Sequence, residues 1–273
     1  IHASSSKFSK SDFDLWWTAL VQHSLDRGTH PPFKQALRRH PTAHLPVIDE
    51  HVERMLAADV IEPAVSPWAS NIVLIRKRDQ SLRFCVDYRQ LNGLSRKDGY
   101  AIPRPEDCLR SLGNAKYRST LDLRSGYWQA EILPEDRDKT SFVTRRGQYR
   151  FKVLSLGLAN APALFQRLMD TVLKGLTWET CLVFLDDIIV YSETFDEHVQ
   201  RLTAVFQRIA AAGLKLHPNK CRLFQRKVVF LGHVVSADGI APDPDKISVI
   251  ETWPRPHNLT ETRAFVGLAS YYR

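Results

Sequence analysis

The chain has 273 residues, of which 44% are hydrophobic and 25% charged, and its formal net charge is +8. These values are ordinary for a soluble globular protein, and no apolar run approaches the roughly 20 residues that a membrane span needs. No secretory signal pattern opens the chain, so the sequence excludes a transmembrane protein and predicts no membrane partner. Because the first residue is Ile1 and not methionine, we expect a piece of a longer protein.

The positive charge is open to two interpretations. It can serve solubility, or it can form a footprint for a phosphate backbone. Basic clusters at residues 38–39, 76–78 and 145–146 lie beside strand-like or Pro-rich segments and favour the second interpretation. The four cysteines form no CxxC pair, which argues against zinc and redox motifs and favours a reducing interior.

The sequence up to residue 88 predicts an arm, a helix and a hairpin. Residues 1–45 contain Ser-, His- and Pro-rich stretches and predict an arm or linker with little core of its own. A helix is predicted over residues 47–59, where apolar residues recur on one helical face. Residues 72–75 and 82–88 predict two strands joined by a charged turn, with apolar side chains on one face and charged ones on the other.

The remainder alternates strands with helices. Further strands are predicted at residues 119–123, 140–144, 148–154, 228–231 and 234–235. One helix opens at Pro162, which suits a first helical turn. A second, over 197–212 and ending at Gly213, is predicted to bury Val199, Leu202, Val205, Phe206 and Ile209. Two helices close the chain, at 244–252 and from Asn258, where a capping box starts the second. Helices that alternate with antiparallel hairpins predict the α+β class.

Two adjacent aspartates interrupt an otherwise apolar run at residues 181–191. The flanks are rich in Val, Ile, Phe and Tyr and predict a β-hairpin with Asp186 and Asp187 at its tip. Two carboxylates so close repel each other and raise each other's pKa unless a positive group joins them. Mg²⁺, a hard cation that prefers oxygen ligands, is the candidate.

Asp122 ends another apolar strand. An aspartate at a strand end is often only a turn-former or a cap. Together with Asp186 and Asp187, however, it would supply carboxylates for two divalent ions of the kind that clamp an in-line phosphoryl displacement. Spacing alone leaves both readings open, because 64 residues separate Asp122 from Asp186.

Six segments resemble, in order, the reverse transcriptase of gypsy-type (Metaviridae) long-terminal-repeat retrotransposons. They are residues 83–92 (RFCVDYRQLN), 120–129 (TLDLRSGYWQ), 156–166 (LGLANAPALFQ), 184–192 (FLDDIIVYS), 230–240 (FLGHVVSADGI) and 263–273 (RAFVGLASYYR). Order and spacing agree from about residue 45 to the end.

The resemblance implies a right-hand polymerase fold of fingers, palm and partial thumb, with an antiparallel palm sheet backed by helices. It places the fingers at 46–115 and 136–155, the palm at 116–135 and 156–237, and the start of the thumb, leading toward an RNase H domain, at 238–273. Residues 1–45 would be the arm or polyprotein linker.

The resemblance also assigns roles to individual residues. It implies that Asp122, Asp186 and Asp187 bind two Mg²⁺, with Mn²⁺ as an alternative, and that Lys220 is the acid for pyrophosphate. Tyr127 would exclude a 2′-hydroxyl and so favour deoxynucleotides. The other implied nucleotide-binding residues are Lys77, Arg78, Arg83, Leu123, Gly157 and Gln166. The implied primer and template contacts are Asn160, Phe184, Gly232 and His233.

The implied function is an RNA-directed DNA polymerase that adds dNTPs to a DNA primer on an RNA or DNA template. Its partners would include the protease, RNase H and integrase of a parent Pol polyprotein, in cytoplasmic virus-like particles or with the element's DNA in the nucleus. The sequence departs from the family at Phe184, where tyrosine is usual, and at Leu156, where an aromatic residue is usual.

Three rival interpretations stay in view. A catalytically inactive, element-derived remnant would bind nucleic acid without adding nucleotides, although the three intact aspartates argue against decay. An RNA-dependent RNA polymerase would share the palm, and Tyr127 speaks against it. A two-metal nuclease would share the carboxylates but would not explain residues 83–92.

Overall fold

A computed structural model of the chain describes residues 8, 17–77, 80–113 and 115–271. Within these ranges the helices are α1 (Leu45–Ala57), α2 (Arg89–Leu94), α3 (Pro105–Ser111), α4 (Ala161–Val172), α5 (Phe195–Ala211), α6 (Pro244–Glu251) and α7 (Leu259–Tyr271). The strands are β1 (Thr18–His23), β2 (Ile61–Pro63), β3 (Ile72–Arg76), β4 (Leu82–Val86), β5 (Tyr117–Asp122), β6 (Ala130–Ile132), β7 (Phe142–Thr144), β8 (Gly147–Phe151), β9 (Cys181–Phe184), β10 (Asp187–Ser192), β11 (Arg222–Gln225), β12 (Val228–Phe230), β13 (His233–Ser236) and β14 (Gly239–Pro242).

A four-stranded antiparallel sheet in the order β11-β5-β10-β9 is the centre of the fold. Successive side chains of a strand point to opposite faces, and both faces of this sheet are covered. Ile188 and Val190 of β10 join the larger hydrophobic core, whereas Ile189 and Tyr191 join a second, smaller core. This double burial explains why the strands around the aspartate pair read as nearly continuous apolar runs.

Helices hold the sheet from both sides. On the face of the larger core, α5 packs against β5 and β10, and α4 packs against β9. On the other face, α3 and the hairpin β12–β13 contribute side chains to the smaller core. The ends of β5 and β10 are thereby fixed between two layers.

Smaller sheets surround this centre. The order β2-β8-β7 forms one sheet, β3 and β4 form a two-stranded hairpin, and β12-β13-β14 forms a third antiparallel sheet. The predicted alternation of helices with antiparallel hairpins is confirmed, and the predicted elements lie within a few residues of the observed ones. Within the described ranges, no helix is long and apolar enough to cross a membrane.

The structure corrects two expectations about packing. Residues 17–26 are not a loose arm, because β1 pairs in parallel with β6 and Leu25 is buried in the larger core. In α5, Val199 is exposed, and His198 is buried in its place. His198 bonds the hydroxyls of Ser119 and Ser192, so a polar side chain occupies a position that a purely apolar pattern does not mark.

Candidate active site

The β9–β10 hairpin ends in a two-residue turn formed by Leu185 and Asp186. Asp187 is the first residue of β10, and its partner across the neighbouring strand is Asp122, the last residue of β5. Directly opposed residues of an antiparallel pair have Cβ atoms about 4.5–5.5 Å apart. Asp122, distant in sequence, therefore lies at the same edge of the sheet as the adjacent Asp186 and Asp187, which confirms the predicted hairpin and shows how Asp122 joins it.

The charges at this edge influence one another. Burial raises the pKa of Asp187 to about 6, and the neighbouring carboxylates of Asp186 and Asp122 push it in the same direction. Burial also raises the pKa of Asp122, against the opposing effect of the Lys220 ammonium. Each shift reports negative charge that lacks sufficient compensation. The edge therefore favours a positively charged group.

Lys220 approaches this edge from the other side of β5. Its Nζ lies 3.4 Å from both carboxylate oxygens of Asp122. The turn Pro218–Lys220 is held there because the His217 N–H donates to the Asp122 carbonyl oxygen at 2.8 Å. The structure thus brings Lys220 to the predicted catalytic residues, and its role as an acid stays a prediction.

Tyr127 lies in the short 3₁₀ turn Gly126–Gln129 that follows β5. Its ring packs edge-to-face on Phe165 of α4, with 5.2 Å between centroids. Burial raises the pKa of the Tyr127 phenol to about 12, and the Asp186 charge adds to that shift. A Cβ on Gly126 would come within 2.8 Å of the Phe165 ring, so glycine is needed for this close packing. Tyr127 therefore lies close enough to Asp186 to feel its charge, and its role as a gate over the sugar stays a prediction.

Two predicted nucleotide-binding residues have buried side chains. Gln166 is fully buried, and its amide bonds the backbone of the β9–β10 hairpin and Asp170. The Leu123 side chain is buried in the larger core, next to a backbone bridge to Leu216. Neither side chain faces solvent, so the prediction is corrected to exclude a nucleotide contact through these side chains.

Gly157 and Asn160 precede α4. Gly157 has φ +95°, a conformation that L side chains rarely adopt, and its carbonyl accepts a bond from Asn92 at 2.7 Å. The Asn160 side chain accepts from the Asp98 N–H and donates to the Arg96 carbonyl. Asn160 thus braces α4 against residues 96–98, and its predicted template contact stays a prediction.

The predicted triphosphate contacts lie on the hairpin β3–β4. Arg83 stands opposite Ile75, and Lys77 lies two residues beyond Ile75, so both cations project from the same face. Both are exposed. Arg78 lies outside the described residues. The triphosphate contacts of Lys77, Arg78 and Arg83 stay predictions.

The three remaining predicted contacts lie around the smaller core. Phe184 packs against that core at the end of β9. Gly232 and Leu231 form the two-residue turn between β12 and β13, both with positive φ, and His233 opens β13. Positive φ at both positions is the pattern of a type I′ turn. These placements leave the predicted primer contacts untested.

The donor set at the sheet edge fits a hard divalent cation. All three candidate ligands are carboxylates, burial and then the acidic neighbours raise the pKa of Asp187, and an ammonium group already stands against Asp122. Within the described residues, however, no group of three or more His, Cys, Asp or Glu side chains is arranged to hold an ion. The fit rests on chemistry and placement and not on a formed coordination shell.

Other residues hold the site together and were not predicted from the sequence. Gln129 is fully buried, donates to the carbonyls of Arg124 and Lys215, and accepts from the Lys215 N–H. It ties the turn after β5 to the chain that leads to Lys220. Only its position in the segment 120–129 indicated that Gln129 belongs to the site. From a single sequence a glutamine is expected on the surface, because glutamines are mostly exposed.

An antiparallel central sheet with three carboxylates at one edge, backed by helices on both faces, defines the class of right-hand nucleic-acid polymerases. Residues 75–235 match the family described as Reverse transcriptase (RNA-dependent DNA polymerase). The chain belongs to that family.

Known relatives agree with this assignment. The chain is 37% identical over 95% of its length to the Retrovirus-related Pol polyprotein from transposon 297 of Drosophila melanogaster. It is also 37% identical over 83% of its length to that from transposon gypsy of the same species. The chain spans about a quarter of these relatives, covering 25% and 22% of their lengths. The predicted gypsy-type resemblance is confirmed.

Solved structures bear out the fold. The foamy viral protease-reverse transcriptase dRH in complex with ds DNA superimposes with a TM-score of 0.91 at 26% identity, covering all of this chain and 48% of that chain. The foamy viral protease-reverse transcriptase in complex with RNA/DNA hybrid gives a TM-score of 0.89 at 26% identity, over 100% of this chain and 37% of that one. The predicted right-hand polymerase fold is therefore confirmed.

Proposed function

We propose that this chain extends a DNA primer with dNTPs on an RNA or DNA template, as the reverse transcriptase part of a retrotransposon Pol polyprotein. The observation that carries the proposal is the pairing of Asp122 with Asp187 across β5 and β10, with Asp186 in the adjoining turn. Family membership supports the same activity. Relatives that are Pol polyproteins support further Pol domains as partners. We infer that these are protease, RNase H and integrase, in cytoplasmic virus-like particles or at the element's DNA in the nucleus.

Asp122, Asp186 and Asp187 would hold two Mg²⁺ ions, or Mn²⁺ in their place. When bound, such ions supply positive charge at the attacking and leaving oxygens of a phosphoryl transfer. The protein's own task is then to position the reactants and stabilise charge. The raised pKa of Asp187 is consistent with a site that needs added positive charge.

Other side chains act on the substrate. Arg83 and Lys77 bind the triphosphate, for which a guanidinium fork and an ammonium are suited. The Tyr127 ring excludes a 2′-hydroxyl and so selects deoxynucleotides. The primer 3′-hydroxyl loses its proton to solvent as its oxygen bonds the α-phosphorus and the bond to pyrophosphate breaks. Lys220 gives its proton to the departing pyrophosphate.

Primer extension on a homopolymer RNA template tests the proposal. We expect the chain to add dNTPs in Mg²⁺, and Asp186→Asn to abolish the addition because the variant lacks a negative oxygen ligand. Glu193→Gln removes an exposed carboxylate just beyond β10 and is the matched control, with extension unchanged. Full activity of Asp186→Asn would contradict the carboxylate assignment.

The same assay separates the rival interpretation. A folded wild-type chain that binds primer–template but adds no nucleotide under any divalent ion would be the inactive, nucleic-acid-binding remnant. Binding is followed by fluorescence anisotropy of a labelled duplex, and folding by circular dichroism.

A further inference from the structure

The turn that carries Asp186 is conformationally demanding. Of its two residues only Leu185 has a positive φ, +57°, which is the pattern of a type II′ turn. Glycine is the usual residue at that position, and a leucine there persists only where the surroundings hold it. The Leu185 N–H also lies outside the β9–β10 ladder, and a buried donor of this kind needs an acceptor.

Gln166 of α4 supplies that acceptor. Its Oε1 accepts the Leu185 N–H at 2.7 Å, and its Nε2 donates to the Val183 carbonyl oxygen at 3.3 Å. One side chain thus holds the hairpin at two backbone points, on either side of Phe184. Gln166 has no exposed surface, so water does not compete for these bonds.

A second link fixes which way the Gln166 amide faces. Its Nε2 also donates to Asp170 Oδ1 at 3.1 Å, and Asp170 Oδ2 accepts from the Tyr100 hydroxyl at 2.7 Å. A carboxylate can only accept, so the amide nitrogen must point to Asp170 and the amide oxygen to Leu185. The Arg167 guanidinium covers the Tyr100 ring at 4.7 Å and completes the brace.

We propose that Gln166 is a positioning residue of the polymerase reaction: its buried amide sets the Leu185–Asp186 turn and thereby the placement of the Asp186 and Asp187 carboxylates. This role rests on the proposed function, since it assumes that those carboxylates bind divalent ions. Groups that orient metal ligands from behind typically change metal affinity or activity 10–100-fold when they are removed.

The test uses the whole chain and a near-isosteric variant. Gln166→Met keeps the length of the side chain and loses both hydrogen-bonding atoms. Gln148→Met is the matched control, because the Gln148 amide likewise bonds backbone, donating to the Ser66 and Trp68 carbonyls and accepting from the Ser66 N–H, on β8 outside the four-stranded sheet. Both variants lose comparable hydrogen bonds, but only one lies behind the catalytic hairpin.

Mn²⁺ binding, measured as the fall of the free-ion electron paramagnetic resonance signal, gives a readout that stability alone does not move. We expect Gln166→Met to raise the Mn²⁺ dissociation constant about tenfold and Gln148→Met to leave it unchanged. Normal Mn²⁺ binding by folded Gln166→Met would overturn the positioning role and leave the proposed function intact. Absence of any Asp186-dependent Mn²⁺ binding by the wild type would overturn both.

Amide hydrogen exchange of the wild type adds a measurement that does not depend on a folded variant. The account predicts slow exchange at the Leu185 N–H, because a buried acceptor holds it. Exchange at the rate of an open turn would overturn the proposal.

Discussion

The sheet edge that carries Asp122, Asp186 and Asp187, in the predicted palm (the palm edge), and the hairpin β3–β4, in the predicted fingers, place their candidate site residues in opposite ways. At the palm edge, Asp122 and Asp187 are fixed by strand register between two buried layers. On the hairpin β3–β4, Arg83 and Lys77 are exposed on a two-stranded sheet. Side chains that bind a metal ion need a fixed geometry. Cationic side chains that bind a mobile triphosphate need to extend from the surface toward it. The difference predicts that palm substitutions act on the chemical step and fingers substitutions on nucleotide binding.

The largest effect should come from the palm edge. Asp187→Asn keeps the size of the side chain and removes its charge, so we expect a loss of about a thousandfold in kcat for primer extension, or about 4 kcal/mol. Single-turnover incorporation measures this loss. A variant that raised the dNTP KM but kept kcat would show that Asp187 belongs with the binding residues.

Arg83→Ala should produce the next effect. Loss of a charge-assisted hydrogen bond costs about 1.5–3 kcal/mol, so we expect kcat/KM for dNTP to fall about 10–100-fold, mainly through KM. Arg76→Ala is the control, because Arg76 lies on the same hairpin opposite Leu82 and projects from the other face. Equal effects of the two substitutions would remove any special role for Arg83.

Tyr127 allows a test of substrate selectivity within the palm. Tyr127→Ala opens the space beside Asp186, so we expect ribonucleotide incorporation to rise about tenfold or more relative to deoxynucleotide incorporation, by roughly 1.4 kcal/mol of discrimination. Tyr127→Phe keeps the ring and should keep the selectivity. Single-nucleotide insertion with matched dNTP and rNTP measures the ratio, and an unchanged ratio for Tyr127→Ala would refute the gate.

The last effect is on folding stability and not on catalysis, and it concerns the support beneath the palm sheet. Burial of His198, which bonds Ser119 of β5 and Ser192 of β10, lowers its pKa from 6.5 to about 4. Between these values the unfolded chain binds the proton and the folded chain does not, so stability falls as pH drops from 6.5 toward 4, by roughly 3 kcal/mol at most.

Denaturant unfolding at several pH values measures this dependence. His198→Asn should flatten the slope of unfolding free energy between pH 6.5 and 4. The exposed His30 provides the control substitution His30→Asn, which should leave the slope unchanged. An unaltered slope in His198→Asn would contradict the assignment.

The sequence was sufficient where local periodicity carries the structure. Apolar flanks predicted the hairpin β9–β10, and Pro162 marked the start of α4. The pairing of Asp122 with Asp187 depends on strand register across 65 residues, which no local pattern encodes, and only the family resemblance placed them together.

Buried polar groups explain the remaining misses. The family resemblance placed the Gln166 side chain at the nucleotide, and it instead braces the Leu185–Asp186 turn, a burial that is unusual for glutamine. In α5, His198 is buried where Val199 was predicted to be, although histidine is polar. Such side chains are buried only because specific partners satisfy them, and those partners become visible only in three dimensions.

The central claim is that the palm-edge carboxylates serve nucleotide addition through divalent ions. Single-nucleotide addition to a DNA primer on an RNA template tests it most directly, in Mg²⁺, after chelation with EDTA, and after Mg²⁺ is restored. The account predicts no product in EDTA, full recovery on restoration, and no recovery in Asp187→Asn. Product formed in EDTA, or recovery in Asp187→Asn equal to that of the wild type, would contradict it.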